Sequence, residues 1–87
     1  MRHFASQEFW ESYRKLPDSV RKLADMNFEL LESDSRHPSL RFKKVGRFFS
    51  ARVGPSHRVL GVEVEGGVLW FWIGSYADSD NILGRTS

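Results

Sequence analysis

The stretch RFFSARVGPSHRVLGVEVEGGVLWFWIG, Arg47 to Gly74, alternates apolar and polar residues, or is apolar throughout, between two glycine-bearing turns. Gly54-Pro55-Ser56 is the first turn signal and Glu65-Gly66-Gly67 the second, so RFFSARV, RVLGVEV and VLWFWIG read as consecutive antiparallel strands. If the first loop is three residues long, Val53 closes against His57, and Arg52 then faces Arg58 across one side of the hairpin. Like charges placed directly opposite each other are destabilising. Either the loop differs by one residue and the arginines split across the faces, or an anion belongs between them.

Working outward, LRFKKV (residues 40–45) alternates as well, which makes a meander of about four strands. The last strand is apolar on both faces and is expected to be central, flanked by other strands and covered on one side by helices. Simple alternation puts Trp70 and Trp72 on one face and Leu69, Phe71 and Ile73 on the other. The hairpin register that opposes the two arginines puts Glu63 on the face of Val59 and Gly61, so either Glu63 lies at the sheet's edge or that register is wrong.

Upstream of the strands the period changes. Phe9, Trp10, Tyr13 and Leu16 recur at helical spacing until Pro17 interrupts them. A second helix is expected from Pro17 to Ser33, with Asp18 complementing its positive end and Val20, Leu23, Ala24, Asn27, Leu30 and Leu31 on one face. Asn27 is the polar exception in that stripe. The predicted fold is therefore α+β: an amino-terminal helical hairpin on a mainly antiparallel sheet. The 87 residues, 40% hydrophobic and 14% aromatic, suit one domain with a single modest core. The closing GRTS is expected to be mobile.

The formal charge of +2 conceals a strong asymmetry. From Ser35 to Val62 there is no Asp or Glu, yet Arg36, Arg41, Lys43, Lys44, Arg47, Arg52 and Arg58 all fall there. The rest of the chain holds all eleven acids. A basic sheet half beside an acidic helical half is the electrostatic footprint of a polyanion site. No cysteine is present, which excludes a disulfide framework and thiolate metal ligation. No apolar run approaches the roughly 20 residues of a membrane span, so a cytoplasmic protein with no membrane partner is expected.

Several chemistries lack support. His3, His37 and His57 are scattered without ligand spacing, so no metal and no cofactor is expected. There is no G-x-S-x-G elbow and no glycine-rich phosphate loop. What remains is Lys, Arg, His and Tyr on a sheet, and these suffice for metal-free cleavage of RNA. There the 2′-hydroxyl attacks the neighbouring phosphorus, arginines stabilise the added charge, and a nearby group moves protons. The same groups could instead hold a phosphate backbone without reacting.

Two helices followed by HPSLRFKKVGRFFSARVGPSHRVLGVEVEGGVLWFWIGSY (residues 37–76) resemble the RelE/ParE superfamily of bacterial toxins. The specific part is a strand ending in Arg52, a short turn, His57-Arg58, a strand, and an apolar strand ending in Gly74. The resemblance implies a helical hairpin on an antiparallel sheet and a cognate antitoxin laid over the basic surface. It also implies either ribosome-dependent cleavage of mRNA, as in the RelE branch, or poisoning of gyrase, as in the ParE branch. A third class is a catalytically inactive module that binds RNA or the antitoxin. Carried over by position, Arg52 and Arg58 bind phosphate or stabilise the transition state; outside that match, Tyr76 or His57 could move a proton, with Tyr76 the leading candidate. Lys43, Lys44, Arg47 and His57 serve substrate binding. Ser50 and Tyr76 stand where well-known members carry basic residues.

Overall fold

The computed structural model describes residues 2–84. Its strands are β1 (Arg2–Ala5), β2 (Lys43–Val45), β3 (Phe48–Val53), β4 (His57–Val64) and β5 (Gly67–Ser75). The helices are α1 (Gln7–Arg14), α2 (Asp18–Ser33) and α3 (Tyr76–Gly84), with a 3-10 turn at Pro38–Leu40. The predicted α+β architecture is present, enlarged by one strand and one helix. Arg85–Ser87, the end of the GRTS segment, lie outside the described residues.

The sheet order is β1-β5-β4-β3-β2. Pairing is antiparallel except for β1, which runs parallel to β5 from Arg2 beside Gly67 to Ala5 beside Trp70. The last strand is thus flanked on both sides, as its unbroken apolar sequence requires. LRFKKV forms a strand only from Lys43. Leu40 closes the 3-10 turn, and Arg41 turns the chain with the left-handed angles φ 46, ψ 42.

Ser6 starts α1 by accepting the Phe9 amide on its Oγ at 3.2 Å, and Pro17 caps α2 in extended conformation. Both helices lie on one sheet face. Phe9, Leu16, Ala24 and Leu31 pack there against Ala51, Val53, Val59, Val68, Trp70 and Ile73. Trp70 is fully buried. Gly61 makes room for it, since a Cβ there would come within 2.7 Å of both the Trp70 ring and Val68.

The expected alternation along β5 fails at one point. Leu60 pairs with Trp72 and Gly61 with Trp70, leaving Phe71 as the extra residue of a β-bulge. Trp70 and Ile73 consequently share the helix-covered face, and Trp72 joins Leu69 on the other. Phe71 also turns to that second face, with its ring 5.6 Å from Phe48. Past the end of β1, the Ile73 amide donates to Ser12 Oγ on α1 at 3.1 Å. Glu63 lies on the helix side of the inner strand β4, exposed one residue past the last pair with β3, so the register holds without a place on an edge strand.

Candidate functional site

Arg52 pairs with Arg58 and Val53 with His57, so the loop is the three-residue one. Gly54 opens it with φ +62, a conformation that favours glycine. Both arginines therefore project from the face away from α1 and α2. That face also carries Lys43 and Ser50, which are themselves paired across β2 and β3. Arg41, Lys43, Ser50, Arg52, Pro55, Arg58 and Tyr76 line a groove of about 340 Å³. Among the described residues four cations and no carboxylate line it.

The hydrogen bonds of the opposed arginines go to neutral groups. Arg52 donates from Nε to Gly54 O at 2.8 Å, while its own carbonyl accepts from Asn27 Nδ2 at 2.9 Å. The polar break in the α2 stripe thus anchors the strand that carries Arg52. The Arg58 guanidinium lies over the Tyr76 ring, 4.4 Å from its centroid, a cation–π arrangement. One terminal nitrogen of Arg58 also donates to Ser79 Oγ at 3.2 Å.

Helix α3 makes this clamp possible. Ser75 Oγ accepts the Asp78 amide at 3.1 Å, and the Tyr76 amide donates to Ser56 O at 3.1 Å. The start of α3 is thereby fastened to the arginine hairpin. Asp80 stands 3.9 Å from Arg58 but is largely exposed, whereas the Arg58 side chain is 13% exposed. Arg58 Nε is buried with no hydrogen-bond partner among the described residues. An unmet buried donor costs about 1–3 kcal/mol. The groove beside it, lined by Arg41, Lys43, Arg52 and Arg58, is complementary to an anion.

The groove brings together Arg52, Arg58, Tyr76 and Lys43 from the residues singled out in the sequence. Lys44 points to the opposite face, its ammonium 5.7 Å from the Phe49 ring centroid, because neighbours on a strand alternate. His57 also faces the helix side, one residue from Arg58, and its Nδ1 is 3.0 Å from Ser56 Oγ. Arg47 sits exposed in the turn between β2 and β3. Arg41 and Ser50 complete the groove without having been assigned a role there. Ser50 is almost fully buried and forms part of the floor. Among the described residues no three His, Asp or Glu gather into a metal-binding group.

Sheet order, helix placement and groove can be compared with solved structures. The chain superposes on the RelB–RelE antitoxin–toxin complex of Methanococcus jannaschii with a TM-score of 0.69, covering 91% of this chain and 96% of that one at 16% identity. The fold is that of the RelE toxins. The isolated RelE toxin of E. coli matches with a TM-score of 0.61 at 12% identity, over 98% of this chain and 97% of that one. The RelE–RelB complex of Pyrococcus horikoshii matches at 0.60 and 16% identity, over 85% and 92%. No family model and no curated protein matches the sequence. The RelE-like fold is thus carried by a sequence of low identity to these neighbours.

Proposed function

We propose that this single 87-residue domain is the toxin of a toxin–antitoxin pair and acts as a ribosome-dependent, metal-free mRNA endonuclease in the cytoplasm. One observation carries the reading: Arg52 and Arg58 oppose each other across a groove free of carboxylates, with Tyr76 stacked on Arg58. A phosphodiester seated there meets two guanidinium groups. As the 2′-oxygen attacks phosphorus and the 5′-oxygen departs, they stabilise the growing negative charge. The products are a 2′,3′-cyclic phosphate and a free 5′-hydroxyl. The proton lost by the 2′-hydroxyl and the one gained by the 5′-oxygen pass through Tyr76 or water. Arg41 and Lys43 hold the flanking backbone.

Neighbours solved as RelB–RelE complexes support a cognate antitoxin as partner. Poisoning of gyrase is the second reading. It is favoured by Ser50, which leaves the groove floor without a base, and by the commitment of the Tyr76 ring to Arg58.

Expression in a translating extract separates the two. New 5′ ends within translated codons, dependent on ribosomes, are the expected result. Intact mRNA accompanied by double-strand DNA breaks would replace the endonuclease with the gyrase poison. Intact mRNA and intact DNA would leave a binding module.

A further inference from the structure

A second cavity lies on the other side of the molecule and has the opposite chemistry. It occupies about 480 Å³ between β1, α1 and α2, and its walls include Phe4, Trp10, Tyr13, Phe28, Asp25 and Glu32. Its volume lies within the range of small-molecule pockets.

The aromatic walls are oriented by one another. The Trp10 ring stands edge-on to Tyr13, with centroids 5.4 Å apart and an interplanar angle of 80°. Both rest on buried Phe9, at 5.0 and 6.0 Å, and Phe9 meets Phe28 edge-on at 5.4 Å. Phe4 and Trp10 are among the few exposed large apolar side chains, at 40% and 45%. These rings give the cavity an aromatic wall, and an aromatic face turned to the cavity attracts a cation through its quadrupole.

Charge points the same way. Asp25 Oδ1 accepts from the Tyr13 hydroxyl at 2.7 Å, which orients the carboxylate, and its second oxygen has no partner among the described residues. Glu32 makes no hydrogen bond or ion pair among them either. His3, also in the wall, receives the Trp70 indole N–H on its Nδ1 at 3.1 Å, which requires an unprotonated nitrogen there. Among the described residues no Lys or Arg lines the cavity, although Arg21, paired with Asp18, acts on Tyr13 from outside the wall. Arg2 lies in an adjoining depression that shares His3, Phe4 and Glu32.

We infer that this cavity is a binding site for a small organic ammonium ion, its cationic head against the aromatic wall that includes Trp10 and Tyr13 and its charge balanced by Asp25 and Glu32. A neutral apolar ligand would leave both carboxylates uncompensated beside it, and an anion would be repelled. The site does not depend on the anion groove or on the proposed nuclease activity.

The probe is choline, set against 3,3-dimethyl-1-butanol, its uncharged isostere with carbon in place of nitrogen. Titration of the full chain, isotopically labelled and followed by NMR, should give saturable shifts at the Trp10 indole and the Asp25 amide. Choline should bind about tenfold or more tightly than the isostere. Trp10→Ala and Asp25→Asn should each weaken choline severalfold while leaving the remaining spectrum folded. Asn can still accept from Tyr13, and Trp10→Phe, which keeps a ring, serves if the alanine variant does not fold. No saturation up to about 100 mM, well beyond a millimolar Kd, would overturn the inference, as would equal binding of the isostere. A short peptide with one central Arg that bound the same residues far more tightly than choline would reassign the cavity to a docked polypeptide.

Discussion

Asn27 on α2 hydrogen-bonds through Nδ2 to the backbone oxygen of Arg52 at 2.9 Å. The helical layer thereby grips the strand rung from which both groove arginines project. Asn27→Leu should leave the half-buried acceptor unmet and lower stability by about 1–3 kcal/mol, read by thermal or urea unfolding. Activity should fall further than the small unfolded fraction accounts for, because Arg52 loses its anchor. A leucine variant with parental stability and turnover would show that the bond positions nothing.

Arg58→Ala should reduce single-turnover cleavage by about 10²-fold or more, the size typical of losing one donor that acts on transition-state charge. Stability should fall by about 0.5–3 kcal/mol, because Arg58 is mostly buried and joins β4 to Tyr76 and Ser79 of α3. The substitution removes the cation–π contact to Tyr76, and it also removes an unmet donor and the like charge facing Arg52. A folded variant that cleaves at the parental rate would remove Arg58 from the mechanism.

Lys43 and Lys44 separate binding from bystander charge, because adjacent strand positions face opposite sides. Lys43→Ala should weaken RNA binding and flatten its salt dependence by about one counterion. Lys44→Ala should leave both within about twofold, since Lys44 stands over Phe49 on the other face. Equal losses for the two variants would mean that the nucleic acid wraps past the sheet edge.

His3 has a pKa below its ordinary 6.5, chiefly because burial disfavours the charged ring, with Glu32 acting in the opposite sense. A group whose charged form is disfavoured by folding binds more protons in the unfolded chain. Its contribution is therefore fully present above pH 6.5 and is lost as pH falls from there toward the folded pKa. Stability should rise with pH across that window, and His3→Gln should remove that share of the slope. An unchanged slope in denaturant titrations from pH 5 to 7.5 would contradict the assignment.

Much of the fold was legible because local signals agreed. Pro17 divides two helical stripes, and Gly54-Pro55-Ser56 and Glu65-Gly66-Gly67 mark the hairpins whose register opposes Arg52 to Arg58. Three features escaped. RHFA carries too few residues to show a strand period, and its partner β5 is remote in sequence. The Phe71 bulge breaks the alternation that a strand reading assumes, and no glycine or proline announces it. Helix α3 did leave a trace, since Ser75 followed three residues later by Asp78 is a capping spacing. A weakly amphipathic run after it hid the signal. The groove was legible as a basic stretch without acids. Its membership was not, because the left-handed turn at Arg41 that brings this residue to the rim has no sequence marker.

The parallel pairing of β1 with β5 ties the first turn of chain to the last strand, as in the bond between His3 and Trp70, 67 positions apart. Joining ends so far apart costs more chain entropy than closing either hairpin. The expected order of assembly is therefore hairpins first and edge strand last. Pulse-labelled exchange should show Val59 and Leu60 amides protected before those of β1, and the reverse order would refute it. Nascent chains would then carry a formed arginine rung before the aromatic cavity walled by β1 exists. The two ligand surfaces would mature at different moments of synthesis.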